Sequence, residues 1–133
     1  MKPASEHIKQ MLLADTNIDT VNYPPYIGLE PEKPNKAIIL FDYGNIPRTM
    51  LNTSEELDFP SVQVRVRATD YIEGWNLIES VKKSLHGRAN EQWNGMFYIS
   101  VMCLNGPFFL EWDKRQRVIF VINIDTQRKE CII

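Results

Sequence analysis

Apolar positions along the chain recur with two periods, and the switches between them divide it into elements. Ile8, Met11 and Leu12 repeat at helical spacing, which predicts a short helix over residues 5–14 with Ser5 placed to cap it. Residues 15–22 break that pattern. A connector with Pro24, Pro25, Pro31 and Pro34 follows. Proline has no N–H and restricts the residue before it, so this stretch predicts neither helix nor central strand. Residues 37–42 are apolar until Asp42 and read as a buried strand, which Gly44, Asn45 and Pro47 end. Residues 48–60 are polar around Thr53, Ser54, Glu55 and Glu56 and predict a long loop.

Strict alternation returns at residues 62–68. Val62, Val64, Val66 and Ala68 point one way and Gln63, Arg65 and Arg67 the other, the pattern of a half-buried strand with a polar outer face. The strongest helix signal spans residues 71–86. Asp70 and Glu73 form an acidic variant of the capping box, and Gly87 supplies the left-handed stop. Tyr71, Gly74, Trp75, Ile78, Val81 and Leu85 share its apolar face. The last third reads as an antiparallel meander. Phe97, Ile99, Val101 and Cys103 form one strand face, Asn105-Gly106 marks a hairpin, and residues 113–116 make a second turn. A final strand then carries Val118, Phe120, Ile122 and Ile124 on one face. The order predicts an α+β fold of two layers, a mostly antiparallel sheet of about five strands with helices on one face.

Composition agrees with one folded unit spanning residues 1–133. A chain of 133 residues buries roughly 68% of its unfolded surface, enough for a core without staples. With 44% hydrophobic and 24% charged residues, wholesale disorder is excluded. No apolar run approaches the roughly 20 residues of a membrane span, and the apolar run at residues 11–14 is too short for a secretory signal. The net charge of -2 does not mark a generic polyanion binder.

Candidate chemistry is sparse. His7, His86, Cys103 and Cys131 lack metal-ligand spacing, so no metal is expected. Glycines at 28, 44, 74, 87, 95 and 106 allow no phosphate-cradling loop, and no cofactor is expected. Glu111 and Asp113 are near neighbours, but acid–base catalysis needs two carboxyls in different environments, and a solvated turn is the simpler reading. The chain is therefore not expected to be an enzyme. Basic residues remain. Arg65 and Arg67 share a strand face, with Arg117 and the Lys114-Arg115 turn nearby and Phe108, Phe109 and Trp112 close in sequence. Such a face suits a small nucleic-acid-binding module. The reading favoured over that one is a solvated sheet face, with Asp125 and other acids across from the arginines, or a subunit interface.

Several segments together resemble a known family. They are Pro31-x-x-Pro34-x-x-Ala-Ile-Ile-Leu-Phe-Asp42-Tyr-Gly-Asn-Ile-Pro47, Pro60-x-Val-Gln-Val-Arg-Val-Arg67-x-x-Asp70-Tyr71, the helix end Leu85-His86-Gly87, and Gly106-Pro107-x-x-Leu110-x-x-Asp113-x-x-x-Arg117 before Phe-Val-Ile-Asn123-Ile. The chain resembles the minor capsid or tail-completion proteins of long-tailed bacteriophages and prophages, similar in fold to the lambda-type tail terminator. The resemblance covers most of residues 27–128. It departs at Phe109, Glu111 and Trp112, where the family tends to smaller residues. It implies a structural virion protein, made in the bacterial host cytoplasm and built into the tail. Such a protein caps the tail tube as a ring, a homo-oligomer expected to be hexameric. Its implied partners are the tail-tube protein and a head-completion protein, with DNA only in passage through the ring and no membrane. Subunit contacts are then expected to join the basic groups Arg65, Arg67, Lys114, Arg115 and Arg117 to Glu55, Glu56 or Glu111 of a neighbour. The terminal Cys131-Ile132-Ile133 and the Phe108-Phe109 pair are expected to be apolar contacts near the surface.

Overall fold

The computed structural model describes residues 2–45 and 57–130. In chain order these form α1 (Ala4–Ala14), β1 (Pro25–Ile27), β2 (Ala37–Asn45), β3 (Pro60–Ala68), α2 (Tyr71–Leu85), β4 (Arg88–Trp93), β5 (Met96–Trp112) and β6 (Val118–Glu130). The strands make a six-stranded sheet in the order β1-β2-β3-β6-β5-β4. Only β1 pairs in parallel, against Ile38, Ile39 and Leu40 of β2. The class is α+β as expected, but the sheet is mixed and has six strands. Most of the loop expected over residues 48–60 lies outside the described residues.

Two strands escape the sequence pattern for different reasons. β1 begins at Pro25, where a missing N–H costs nothing because the strand lies at the sheet edge. β4, Arg-Ala-Asn-Glu-Gln-Trp, has no apolar alternation and contains no buried residue. It turns into β5 through Asn94 (φ 47°) and Gly95 (φ 81°), the positive angles that a two-residue hairpin requires. The hairpin therefore uses the other Asn-Gly pair of the chain. At Asn105-Gly106 there is no reversal, and β5 continues through to Trp112.

β5 has 17 residues against 13 in β6, yet the two pair end to end, from Met96↔Glu130 to Trp112↔Val118. The surplus residues all sit on β5, at four register shifts: Tyr98/Ser100, Cys103/Asn105, Asn105/Phe108 and Phe109/Glu111. Each is a bulge, and bulges on one strand bend it and increase its twist. The first bulge also inverts the side-chain phase. Met96 and Tyr98 are buried before it and Val101 after it, so Phe97 and Ile99 do not share the core face of Val101 and Cys103 as expected. Gly106 permits the third. At φ 102° a side chain is strained, and a Cβ there would lie 2.7 Å from the Val121 carbonyl oxygen.

Both helices enter one apolar core with β2, β3 and β6. Ile8, Met11 and Leu12 of α1 and Leu77, Ile78, Val81 and Leu85 of α2 join Ile38, Leu40, Val62, Val64, Val66, Phe120 and Ile122. Half of the expected capping box on α2 forms: the Asp70 carboxylate accepts from the Glu73 N–H at 3.0 Å, while the Glu73 carboxylate turns to Lys36 (2.7 Å) and the Tyr23 hydroxyl, and Gly87 follows the helix at φ 87°. Its apolar face is rotated, with Leu77 buried, Trp75 half-buried and Tyr71 exposed. Gly74 brings the helix close to the sheet, since a Cβ would sit 3.0 Å from the Phe120 ring. Ser5 does not cap α1. Pro3 holds that position with no side-chain cap. The helix start is served instead by Asp42 of β2, whose carboxylate accepts from the Ser5 N–H (3.0 Å) and hydroxyl (2.6 Å). A carboxylate suits the positive end of a helix.

One polar cluster is buried beneath α1. His7 is fully enclosed, with Nδ1 2.7 Å from the Tyr98 hydroxyl, and Nε2 has no partner among the described residues. Arg128 donates to the same hydroxyl at 3.2 Å, to the Lys2 carbonyl and to the Asp58 carboxylate. Burial first, and then the Arg128 charge, hold the His7 pKa below its ordinary value.

Two outcomes are expected. Gly106→Ala should cost about 2 kcal/mol or more in urea unfolding, because it adds both a strained φ and a clash with backbone. A destabilisation below that of Gly44→Ala, where a Cβ meets nothing within 4 Å, would contradict the close approach. The unfolded chain protonates His7 near pH 6.5 while the folded chain resists it. The His7 contribution to stability is therefore complete above that pH and is lost as pH falls through it. Urea midpoints at pH 7.5 and 5.0 should show this drop, and His7→Gln should reduce it.

Candidate assembly surface

The alternation of β3 places Arg65 and Arg67 on the sheet face opposite the helices, beside Val121 and Ile119 of β6. That face is not simply solvated. Residues 28–36 cross one end of it, and Arg67 is buried beneath them at 1% exposure. Its guanidinium donates to the carbonyls of Pro34 (2.6 Å) and Asn35 (3.2 Å) and lies 4.0 Å from Glu30. Burial, with the Arg117 charge next to it, lowers the pKa of Arg67, while Glu30 and Asp113 counter the shift. Arg117 is buried too, donating to Asp113 (2.7 Å) and to the Glu32 carbonyl (2.6 Å). Arg115 pairs with the Glu32 carboxylate. Two buried arginines thus fasten the proline-rich segment through its carbonyls, which no strand partner satisfies.

The expected site residues are only partly brought together. Arg67, Glu111, Lys114, Arg115 and Arg117 line one cleft of about 360 Å³, with Glu30, Glu32 and Asp113. Its four basic and four acidic side chains balance within the subunit. Arg65 stands beside it, half-buried, 3.8 Å from Glu30 and over the Phe41 ring at 5.4 Å. Glu55, Glu56 and the terminal Cys131-Ile132-Ile133 lie outside the described residues. Asp113 has a turn-forming role, accepting from the N–H groups of Arg115 and Arg117, both at 2.9 Å. The expectation that Arg67 faces solvent is corrected: sequence alternation gives its side of the sheet, and residues 28–36 decide its burial.

The aromatic residues separate from the arginines. Phe109 pairs with Phe120 and Trp112 with Val118, so both take the helix side of the sheet. There they stand 6.0 and 6.4 Å from the Tyr71 ring. Of Phe108, Phe109 and Trp112, only Phe108, opposite Val121, shares the face of Arg65, where the Phe41 ring also lies. The interleaving of arginines and stacking rings that a single-strand binder uses is not assembled.

A different surface emerges along β5. β4 pairs with it only as far as Val101, so residues 102–112 form a sheet edge. Met102, Leu104, Phe108, Phe109, Leu110 and Trp112 are exposed along it, with Tyr71 and Ile72 at the start of α2. Leu104 and Leu110 are the extra residues at two of the bulges. A clustered apolar edge of this kind marks a contact surface. Of it, the sequence signalled only the Phe108-Phe109 pair, because a hairpin at Asn105-Gly106 would have divided the edge in two.

Among the described residues no group of three or more His, Cys, Asp or Glu could hold a metal ion, and no helix is long and apolar enough to cross a membrane. The family model described as bacteriophage tail terminator protein matches residues 7–130. No curated protein matches the chain.

Arg67→Glu should unfold the protein or cost at least about 3 kcal/mol, because it places a carboxylate among backbone carbonyls and leaves their donors missing. Arg65→Glu should cost about 1 kcal/mol or less, as a half-exposed pair does. Urea melts of the two variants check this, and equal losses would refute the assigned difference in burial.

Proposed function

The chain belongs to the bacteriophage tail terminator family and is a virion tail component, and from that premise we propose that it closes the end of the tail tube as a ring of identical subunits and joins the tail to the head. The observation that carries this reading is the apolar edge of β5, residues 102–112, which the subunit leaves uncovered. A cyclic ring is built from heterologous contacts, each joining two different patches. The exposed edge of β5 supplies one such patch. The role is structural, with the tail-tube protein and a head-completion protein as partners. The ring is hexameric, matching the resemblance from which the reading started. DNA passes through without sequence-specific contact, since Arg65, Arg67, Arg117 and Arg128 are spent on the subunit's own carboxylates and carbonyls.

Electron microscopy of tails made with and without this protein tests the proposal. Tails lacking it should be of irregular length and fail to join heads, and adding the purified protein should restore joining. Leu104→Lys with Leu110→Lys should leave thermal unfolding within a few degrees of wild type, because both side chains are already exposed. The same pair should abolish capping. Normal capping by that variant would remove the β5 edge from the interface, and uniform, head-competent tails without the protein would end the terminator reading.

A further inference from the structure

The last turn of α2 carries two lysines that form no ion pair with any described residue. Arg65, Arg67, Arg88, Arg115, Arg117 and Arg128 are each in an ion pair with a carboxylate. Lys82 and Lys83 are in none among the described residues. Both line a groove of about 510 Å³ with Glu79, Ser80 and His86. A helix C-terminus favours lysines, which accounts for their presence but not for a concave site built around them.

The groove runs beside the open edge of β5. The Gly87 N–H donates to the Val101 carbonyl at 2.8 Å, where β4 pairing ends. One step further, the Cys103 N–H donates to His86 Nδ1 at 2.9 Å, so a side chain stands where a neighbouring strand would be. Lys82 and Lys83 make this groove complementary in charge to an acidic segment.

We propose that this groove receives the stretch containing Glu55 and Glu56 of a second copy. The proposal rests on the ring reading, and it names one of the two unlike patches that a ring needs. Glu55-Glu56 is the one pair of adjacent acidic residues in the sequence, and the carboxylate of nearby Asp58 is already held by Arg128. Asp58 is tied to Arg128 by two backbone hydrogen bonds of 2.8 and 2.9 Å, on the β3 side of β6. The groove lies beyond β5, two strands away within one subunit. A neighbouring copy, related by rotation about the ring axis, brings the two together, and the contact is heterologous, as closure requires.

Charge reversal in the full-length protein tests this, read as the amount retained on purified tail tubes by co-sedimentation and as self-association by sedimentation velocity. Lys82→Glu with Lys83→Glu should weaken assembly about tenfold or more, and so should Glu55→Lys with Glu56→Lys. Combining all four should restore it to within about threefold of wild type, because the pair is remade with its signs exchanged. Lys83→Glu alone, at an exposed position, keeps the test usable should the double lysine variant fold poorly. Assembly of either reversed pair at wild-type strength, or a fourfold variant no better than the reversed pairs, overturns the groove assignment while leaving the ring intact. A wild-type protein that neither self-associates nor binds tubes overturns the ring reading itself, and this proposal with it.

Discussion

The unequal pairing of β5 and β6 is the constraint on which the rest of this structure depends. Seventeen residues are matched to thirteen along one antiparallel ladder, and the difference is absorbed in bulges on a single strand. The longer strand must bend, and the sheet curls with it. The same bulges set which side chains enter the core. Ile99 inverts the phase, so that Tyr98 and Val101 both face inward. Near the other end, Leu104 and Leu110 are turned out to solvent. A regular ladder would have buried or paired these residues, and the exposed edge would not exist in its present form.

The second consequence concerns charge. The open face of the sheet is closed at one end by a segment too rich in proline to form a ladder with its neighbours. Its carbonyls need donors, and Arg67 and Arg117 supply them from β3 and from the residue just before β6. Arginine suits this task because its planar fork serves several acceptors and stays charged when buried. The arginines are thereby withdrawn from external use. What the subunit leaves uncovered is the apolar strand edge from Met102 to Trp112.

Much of the architecture was legible in local sequence. The alternation of Val62, Val64 and Val66 marks β3, and Asp70 with Gly87 brackets α2 to within a residue of its observed end. The turn at residues 113–116 and the strand after it also follow from the pattern, and the family resemblance rests on short motifs within these same elements. Where local rules offered two equal choices they failed. Asn94-Gly95 and Asn105-Gly106 are the same dipeptide, and only the pairing of β4 with β5 makes the first a hairpin and the second a bulge. Ser5 looked like a cap because serine often is one, yet Asp42 is distant in sequence and binds more strongly as a carboxylate.

By itself the sequence determined the elements whose signal is carried within a few residues: the period of a strand, the cap and stop of a helix, and the absence of catalytic or cofactor motifs. Tertiary structure decided the burial of Arg67, the phase of β5 and the exposed edge from Met102 to Trp112. Backbone propensity and periodicity act over one or two turns of chain, so they are written locally. Burial and register depend on which distant segment lies alongside, and that is fixed only when the whole sheet closes over its core.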